Sequence, residues 1–132
     1  MNLEQVKIID IPSYKDSRGT LSSIEQNDDI PFDIKRVFYV HHIKGTRGEH
    51  APIDTDEVLI SVSGSFYVKV YDKTSSKVFF LNDPAKGLYI PRMIYLEMYD
   101  FTEDAVCLVL ANTRYDAKQY LRTMDDFLSY DV

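Results

Sequence analysis

The stretch EVLISVSGSFYVKVYD, residues 57–72, decides the fold class. In an extended chain Val58, Ile60 and Val62 face one way, and Leu59, Ser61 and Ser63 the other. That period of two, rich in β-branched residues, predicts a strand rather than a helix. Ser63-Gly64-Ser65 then supplies a turn, and SFYVKVYD resumes beyond it, so the pair reads as a hairpin.

The same texture continues on either side of this stretch. QVKIIDI reads as a first strand ended by Pro12, SYKDSRG as a loop, and TLSSIEQ as a second strand. IKRVFYVHHI, VFFL, GLYIP, IYLEMYDF and AVCLVLAN are further strand candidates, with KTSSK as a turn. Turn signals recur every roughly eight to twelve residues with no helix between them, which predicts a β-sandwich or barrel. The tail differs. In YDAKQYLRTMDDFLSY, Tyr120, Leu121, Met124, Phe127 and Leu128 fall at helical spacing, with Asp116 as an N-cap candidate. The expectation is a single domain over 1–132, with a β part over 1–112 and a C-terminal helix over 113–132.

Composition narrows the functional classes. The net charge of −6 argues against non-specific nucleic-acid binding, which depends on phosphate neutralisation. A local arginine cluster can still hold a small diphosphate. The apolar runs are too short to cross a bilayer, so no membrane partner is expected. The opening MNLEQVKIIDIP is polar and acidic, unlike a signal peptide, and a cytoplasmic location is expected. The single Cys107 permits no internal disulfide and reads as a small buried strand residue. His41 and His42 read as strand-edge or exposed residues.

The chemistry gathers in RGEHAPIDTDE, residues 47–57. His50 follows Arg47-Gly48, and Glu57 comes seven residues later. The run Gly45, His50, Pro52, Glu57, Gly64 resembles the first cupin motif, in which two histidines and a glutamate sit on adjoining strands of a jelly roll. Here Pro52 occupies the place of the second histidine, and Leu96 or a neighbour that of the histidine in the second motif. His50 and Glu57 alone fall short of the three protein ligands a transition metal normally needs. No metal and no other cofactor is expected.

The resemblance can be drawn more closely. DSRGTLSSIE, IPFDIKRVFYV, RGEHA, GLYIP, EMYDF, VLAN and the tail YDAKQYLRTMDDF look like the dTDP-sugar 3,4-ketoisomerases, the WxcM-like branch of the cupins, over nearly the whole chain. The resemblance implies an all-β, cupin-type jelly-roll barrel with a C-terminal α-helix. It also implies a homodimer with exchanged N-terminal strands, and conversion of a dTDP-4-keto-6-deoxyhexose into its 3-keto isomer without metal. That family serves deoxysugar supply for surface polysaccharides such as lipopolysaccharide.

Moving a ketone from C4 to C3 begins with removal of the C3 proton, which is α to the carbonyl. The enediol is reprotonated at C4 while a proton passes between the two oxygens. Histidine suits such work because its ordinary pKa lies near neutrality. The family places two histidines as HxH, on one face of a strand. This chain keeps His50 and has Pro52 where the second would stand. Tyr95, Leu96 and Tyr99 replace a tryptophan and two histidines farther on.

Two readings follow. In the first, the chain is an isomerase: His50 is the base, and Tyr39, Tyr95, Tyr99 or Glu57 serves the oxygens. In the second, it binds a nucleotide sugar without turning it over. A related reaction on the same ligand class, such as an epimerisation, is a third. Tyr39, Tyr95 and Tyr99 are expected to line the pocket, where their hydroxyls would meet sugar hydroxyls. The resemblance assigns Arg18, Arg36 and Arg47 to the nucleotide's phosphates, which guanidinium forks suit.

Overall fold

The computed structural model describes residues 2–131. In chain order its strands are β1 (Lys7–Asp10), β2 (Ser13–Asp16), β3 (Gly19–Ser22), β4 (Arg36–Val40), β5 (Arg47–Pro52) and β6 (Glu57–Ser63). They continue as β7 (Phe66–Tyr71), β8 (Ser76–Leu81), β9 (Lys86–Ile90), β10 (Tyr95–Tyr99), β11 (Val106–Ala111) and β12 (Tyr120–Leu121), and the helix α1 (Met124–Ser129) follows. One antiparallel sheet runs β1-β9-β6-β11-β4, and a second runs β12-β5-β10-β7-β8. The architecture is the expected jelly roll with a C-terminal helix.

β6 shows how the strands share the interior. Leu59 joins Phe66, Val68, Leu88, Leu96 and Val109 in the core between the two sheets. Val58 and Ile60 face the other way, against Ile11, Ile30 and Phe32. The outer face of this sheet is therefore covered too, by the segment that leads into β4. Val62 lies beyond that cover and is 42% exposed. The opening of β6 is clamped by Asp56. Its carboxylate accepts from the Arg92 backbone N–H at 2.8 Å, the Arg92 guanidinium at 3.2 Å and Asn112 Nδ2 at 3.0 Å.

The tail departs from expectation. Among the described residues of 113–132, α-helix occupies only Met124–Ser129, and Val132 lies outside them. Residues 117–119 form one 3₁₀ turn, for which Asp116 is indeed the N-cap, and Tyr120–Leu121 is strand β12. The cause is tertiary. Edge strand β5 has backbone groups to pair, and the tail meets them: Tyr120 lies opposite Pro52, Leu121 opposite Ala51, and Ile53 N–H donates to the Gln119 carbonyl at 2.8 Å. Pairing of this kind overrides helical spacing. The helix begins where Thr123 caps it, Oγ1 accepting from Asp126 N–H at 3.0 Å, with Asp125 and Asp126 in the first turn. Phe127 then anchors it against Ala51 and Tyr95 on the outer face of the second sheet. Burying a side chain of that size stabilises the docked tail by roughly 1.5–3 kcal/mol.

SYKD, read as loop, is strand β2, paired with β3 across a turn. All eight residues of this hairpin are exposed, Tyr14 and Leu21 prominently.

Candidate active site

A cavity of about 360 Å³ opens between the sheets. That is within the usual size for a small-ligand site. Its first wall comes from β4 and β6, with Arg36, Phe38, Glu57 and Leu59. The second comes from β5 and β10, with Arg47, His50, Leu96 and Met98. The tail closes the mouth with Tyr115, Tyr120 and Arg122.

Arg47 and His50 are three residues apart, so a regular strand would place them on opposite faces. A β-bulge reconciles them. The register of β5 against β10 shifts between Leu96 and Glu97, and Gly48 and Glu49 adopt φ of 80° and 60°. A side chain at Gly48 would lie 2.9 Å from Leu96 Cδ1 and 3.1 Å from the Leu96 carbonyl oxygen. Only glycine fits the bulge that aims both Arg47 and His50 inwards.

Electrostatics divides the walls. His50 is half-buried, and its imidazole is lowered to about 4 by burial first, then by the Arg122 and Arg47 charges. Glu57 is buried, and its carboxyl is raised to about 7 by burial, against the pull of Arg36. Both groups are thus driven towards their neutral forms.

Arg36 sits between the wall and the mouth. Its Nη2 donates to the Tyr120 hydroxyl at 3.1 Å, and its guanidinium carbon lies 5.1 Å from the Phe38 ring centre and 5.4 Å from that of Tyr115. Its Nε is buried and has no hydrogen-bond partner among the described residues. A buried guanidinium donor left open suits an acceptor brought by a ligand.

Four of the eight residues singled out from the sequence meet in this cavity: His50, Glu57, Arg36 and Arg47. The other four do not line it. Tyr39 alternates with Phe38 and Val40, which face in, so it faces out and is 63% exposed. Tyr95 and Tyr99 do share a face, but it is the outer one, because Leu96 and Met98 take the inner positions of β10. Tyr95 packs on Phe127 and Tyr71, and Tyr99 stacks on Tyr67. Arg18 lies on the β2–β3 turn, 87% exposed and paired with Asp16 at 2.7 Å. The sequence reading in turn missed Tyr115, Tyr120 and Arg122. The signal for the last two was present, since Tyr120 and Arg122 flank Leu121 in the alternation of a strand.

Among the described residues, no group of three His, Cys, Asp or Glu side chains is arranged to hold a metal ion.

Residues 4–131 match the model of the family described as FdtA, WxcM-like, C-terminal. The chain is 41% identical over 126 residues to TDP-4-oxo-6-deoxy-alpha-D-glucose-3,4-oxoisomerase of Aneurinibacillus thermoaerophilus, covering 94% of this chain and 91% of that one. Among solved structures it superposes on QdtA, a sugar 3,4-ketoisomerase from Thermoanaerobacterium thermosaccharolyticum in complex with TDP. The TM-score is 0.92 at 41% identity, covering 96% of this chain and 93% of QdtA. WlaRB, a TDP-quinovose 3,4-ketoisomerase from Campylobacter jejuni, gives a TM-score of 0.91 at 38% identity over 96% and 99% of the two chains.

Proposed function

This chain belongs to the WxcM-like FdtA family, and from that premise we propose that it is a sugar-nucleotide 3,4-ketoisomerase acting on a dTDP-linked 4-keto-6-deoxyhexose. The observation that carries the reading is the facing pair His50 and Glu57 in a cavity of ligand size, beside a buried arginine donor that has no hydrogen-bond partner among the described residues.

The chemistry assigned to these residues follows from their protonation. His50 is neutral above about pH 4, so at neutral pH its imidazole is free to take the C3 proton. Glu57, protonated below about pH 7, donates a hydrogen bond to the ketone oxygen and stabilises the charge that develops there. The C3–H electrons become the C3–C4 double bond of the enediol. Imidazolium then returns its proton to C4 while a proton passes from O3 to O4, and the 3-ketone forms. Arg36 and Arg47 bind the diphosphate, and the wall's apolar residues exclude water from the sugar.

The proposal includes a homodimer that exchanges N-terminal strands. All eight residues of the β2–β3 hairpin are exposed, and edge strand β4 presents Val37 and Tyr39 to solvent. An exposed edge of this kind is a template for pairing. Exchange would carry Arg18 from its exposed turn towards a neighbouring cavity. Mixing inactive Arg18→Ala and His50→Ala proteins should then restore turnover, because one site of the mixed dimer holds both residues. A monomer in solution, or no restoration, would remove this part.

The function itself is tested by an NMR time course with dTDP-4-keto-6-deoxyglucose in deuterated buffer. New 3-keto signals are expected, with deuterium entering at the sugar carbon. Line broadening that reports binding, without product or exchange, would leave a nucleotide-sugar-binding protein instead.

A further inference from the structure

Pro52 takes no part in proton transfer, yet the position it occupies is not chemically vacant. His50 and Pro52 share a face of β5, two residues apart. Directly opposite Pro52, on the neighbouring strand β12, is Tyr120. Side chains of a directly opposed pair stand on one face, roughly 4.5–5.5 Å apart at Cβ. Tyr120 therefore rises beside His50 on the cavity side, its ring edge-on to the imidazole with centroids 5.0 Å apart. It is half-buried and lines the cavity.

The hydroxyl is held in a defined state. Arg36 Nη2 donates to it at 3.1 Å. A guanidinium can only donate, so the phenolic oxygen is the acceptor in this bond, and its own hydrogen remains free for another partner. A phenolate formed at that oxygen would keep the same bond, now between two charges and stronger.

We infer that Tyr120 is a catalytic residue: its hydroxyl carries the proton between the two sugar oxygens, at the place left by the missing histidine. The inference rests on the isomerase reading above. His50 removes the proton from C3, and the C3–H electrons form the C3–C4 double bond. The electrons of the C4–O4 double bond take the phenolic proton of Tyr120. The phenolate, held by Arg36, then takes the proton from O3. The C3–O3 double bond forms, and C4 recovers a proton from the His50 imidazolium. His50 and Tyr120 each end as they began, and no other reactant is consumed.

Tyr120→Phe tests this, because it keeps the ring against His50 and removes only the hydroxyl. Deuterium exchange at C3 of the substrate and appearance of the 3-keto product are followed together in deuterated buffer. The expected result is a ratio of exchange to product that rises by about 10²-fold or more, the usual worth of a positioned proton-transfer group. TDP binding by calorimetry should be retained, which shows that the tail is still folded over the cavity. A purely structural role for Tyr120 would lower exchange and product together and leave their ratio unchanged. That result, or turnover equal to wild type, overturns the inference while the isomerase reading stands. A wild-type protein with neither exchange nor product overturns both.

Discussion

The two walls of the cavity bring opposite chemistries to one ligand by the same physical means. On the β6 wall, an acid is buried and its proton is retained, up to about pH 7 for Glu57. On the β5 wall, a base is half-buried and its proton is expelled, down to about pH 4 for His50. Each shift is led by loss of water around the charged form. Between those values the cavity holds a loaded acid facing an empty base, the arrangement an enolisation requires. The walls differ in how rigidly they hold these groups. Glu57 opens a strand that keeps an unbroken register against β11 as far as Ser61, clamped by Asp56, Arg92 and Asn112. His50 follows a bulge at Gly48 and depends on the tail for the strand beside it.

The sharpest test of the difference is to remove the base. His50→Ala should lower turnover by about 10²–10⁴-fold, as expected for a positioned general base, with TDP affinity little changed. Single-turnover product formation reads the first quantity and calorimetry the second. Undiminished turnover would move the base to the other wall. Arg36→Met should act on binding as well as turnover, because it removes a buried donor offered to the ligand together with the bond that holds the Tyr120 hydroxyl. A charge-assisted hydrogen bond contributes about 1.5–3 kcal/mol, so TDP affinity should fall by roughly 10–150-fold. The same loss in Arg18→Ala but not in Arg36→Met would place the diphosphate elsewhere.

The walls were also unequally legible in the sequence. The β6 wall follows from period two alone: Leu59 inward, Val58 and Ile60 outward, with Glu57 on the same side as Leu59. Arg36 and Phe38 follow in the same way on β4, and the same alternation should have turned Tyr39 outward. On β10 it was legible that Tyr95 and Tyr99 share a face. Which face was not, because that depends on Leu96 and Met98 facing the inter-sheet core while Phe127 of α1 covers the outside. Residues of the β5 wall depend on a bulge, and a bulge breaks the very rule by which faces are read. The tail was least legible. Its apolar spacing fits a helix, and only the unpaired edge of β5, a distant partner, makes Tyr120 and Leu121 a strand. The local cue was Thr123 before Asp125 and Asp126, a capping signal that puts the helix start after β12.

The acid wall is probed by pH. Turnover should rise with pH through about 4 as His50 loses its proton, and fall above about 7 as Glu57 loses its own. Glu57→Gln keeps a hydrogen-bond donor but cannot ionise. It should retain a measurable fraction of wild-type turnover and lose the descending limb near pH 7, while the limb near pH 4 persists. Rate profiles of the two proteins settle the point. A descending limb unchanged in Glu57→Gln would belong to another group.

The smallest effect lies in stability, where the two walls pull against each other. His50 has a folded pKa of about 4, below its ordinary 6.5, so the unfolded chain binds the extra proton between those values. Its contribution is present above pH 6.5 and is lost as pH falls towards 4. Glu57 has a folded pKa of about 7, above its ordinary 4.5, so here the native state binds the extra proton. Its contribution is present below pH 4.5 and is lost as pH rises through 7. Each slope approaches about 1.4 kcal/mol per pH unit at most, and in the overlap between them the two cancel. Wild type should therefore show little net pH dependence from this pair. Glu57→Gln leaves the His50 slope alone, so its melting temperature should drop on acidification relative to wild type. His50→Asn leaves the Glu57 slope, and its melting temperature should drop on the way to pH 7. Differences on the order of 5 °C per pH unit are within reach of calorimetry. Three parallel curves would mean that the two groups do not titrate as their burial requires, and the contrast between the walls would fail at its origin.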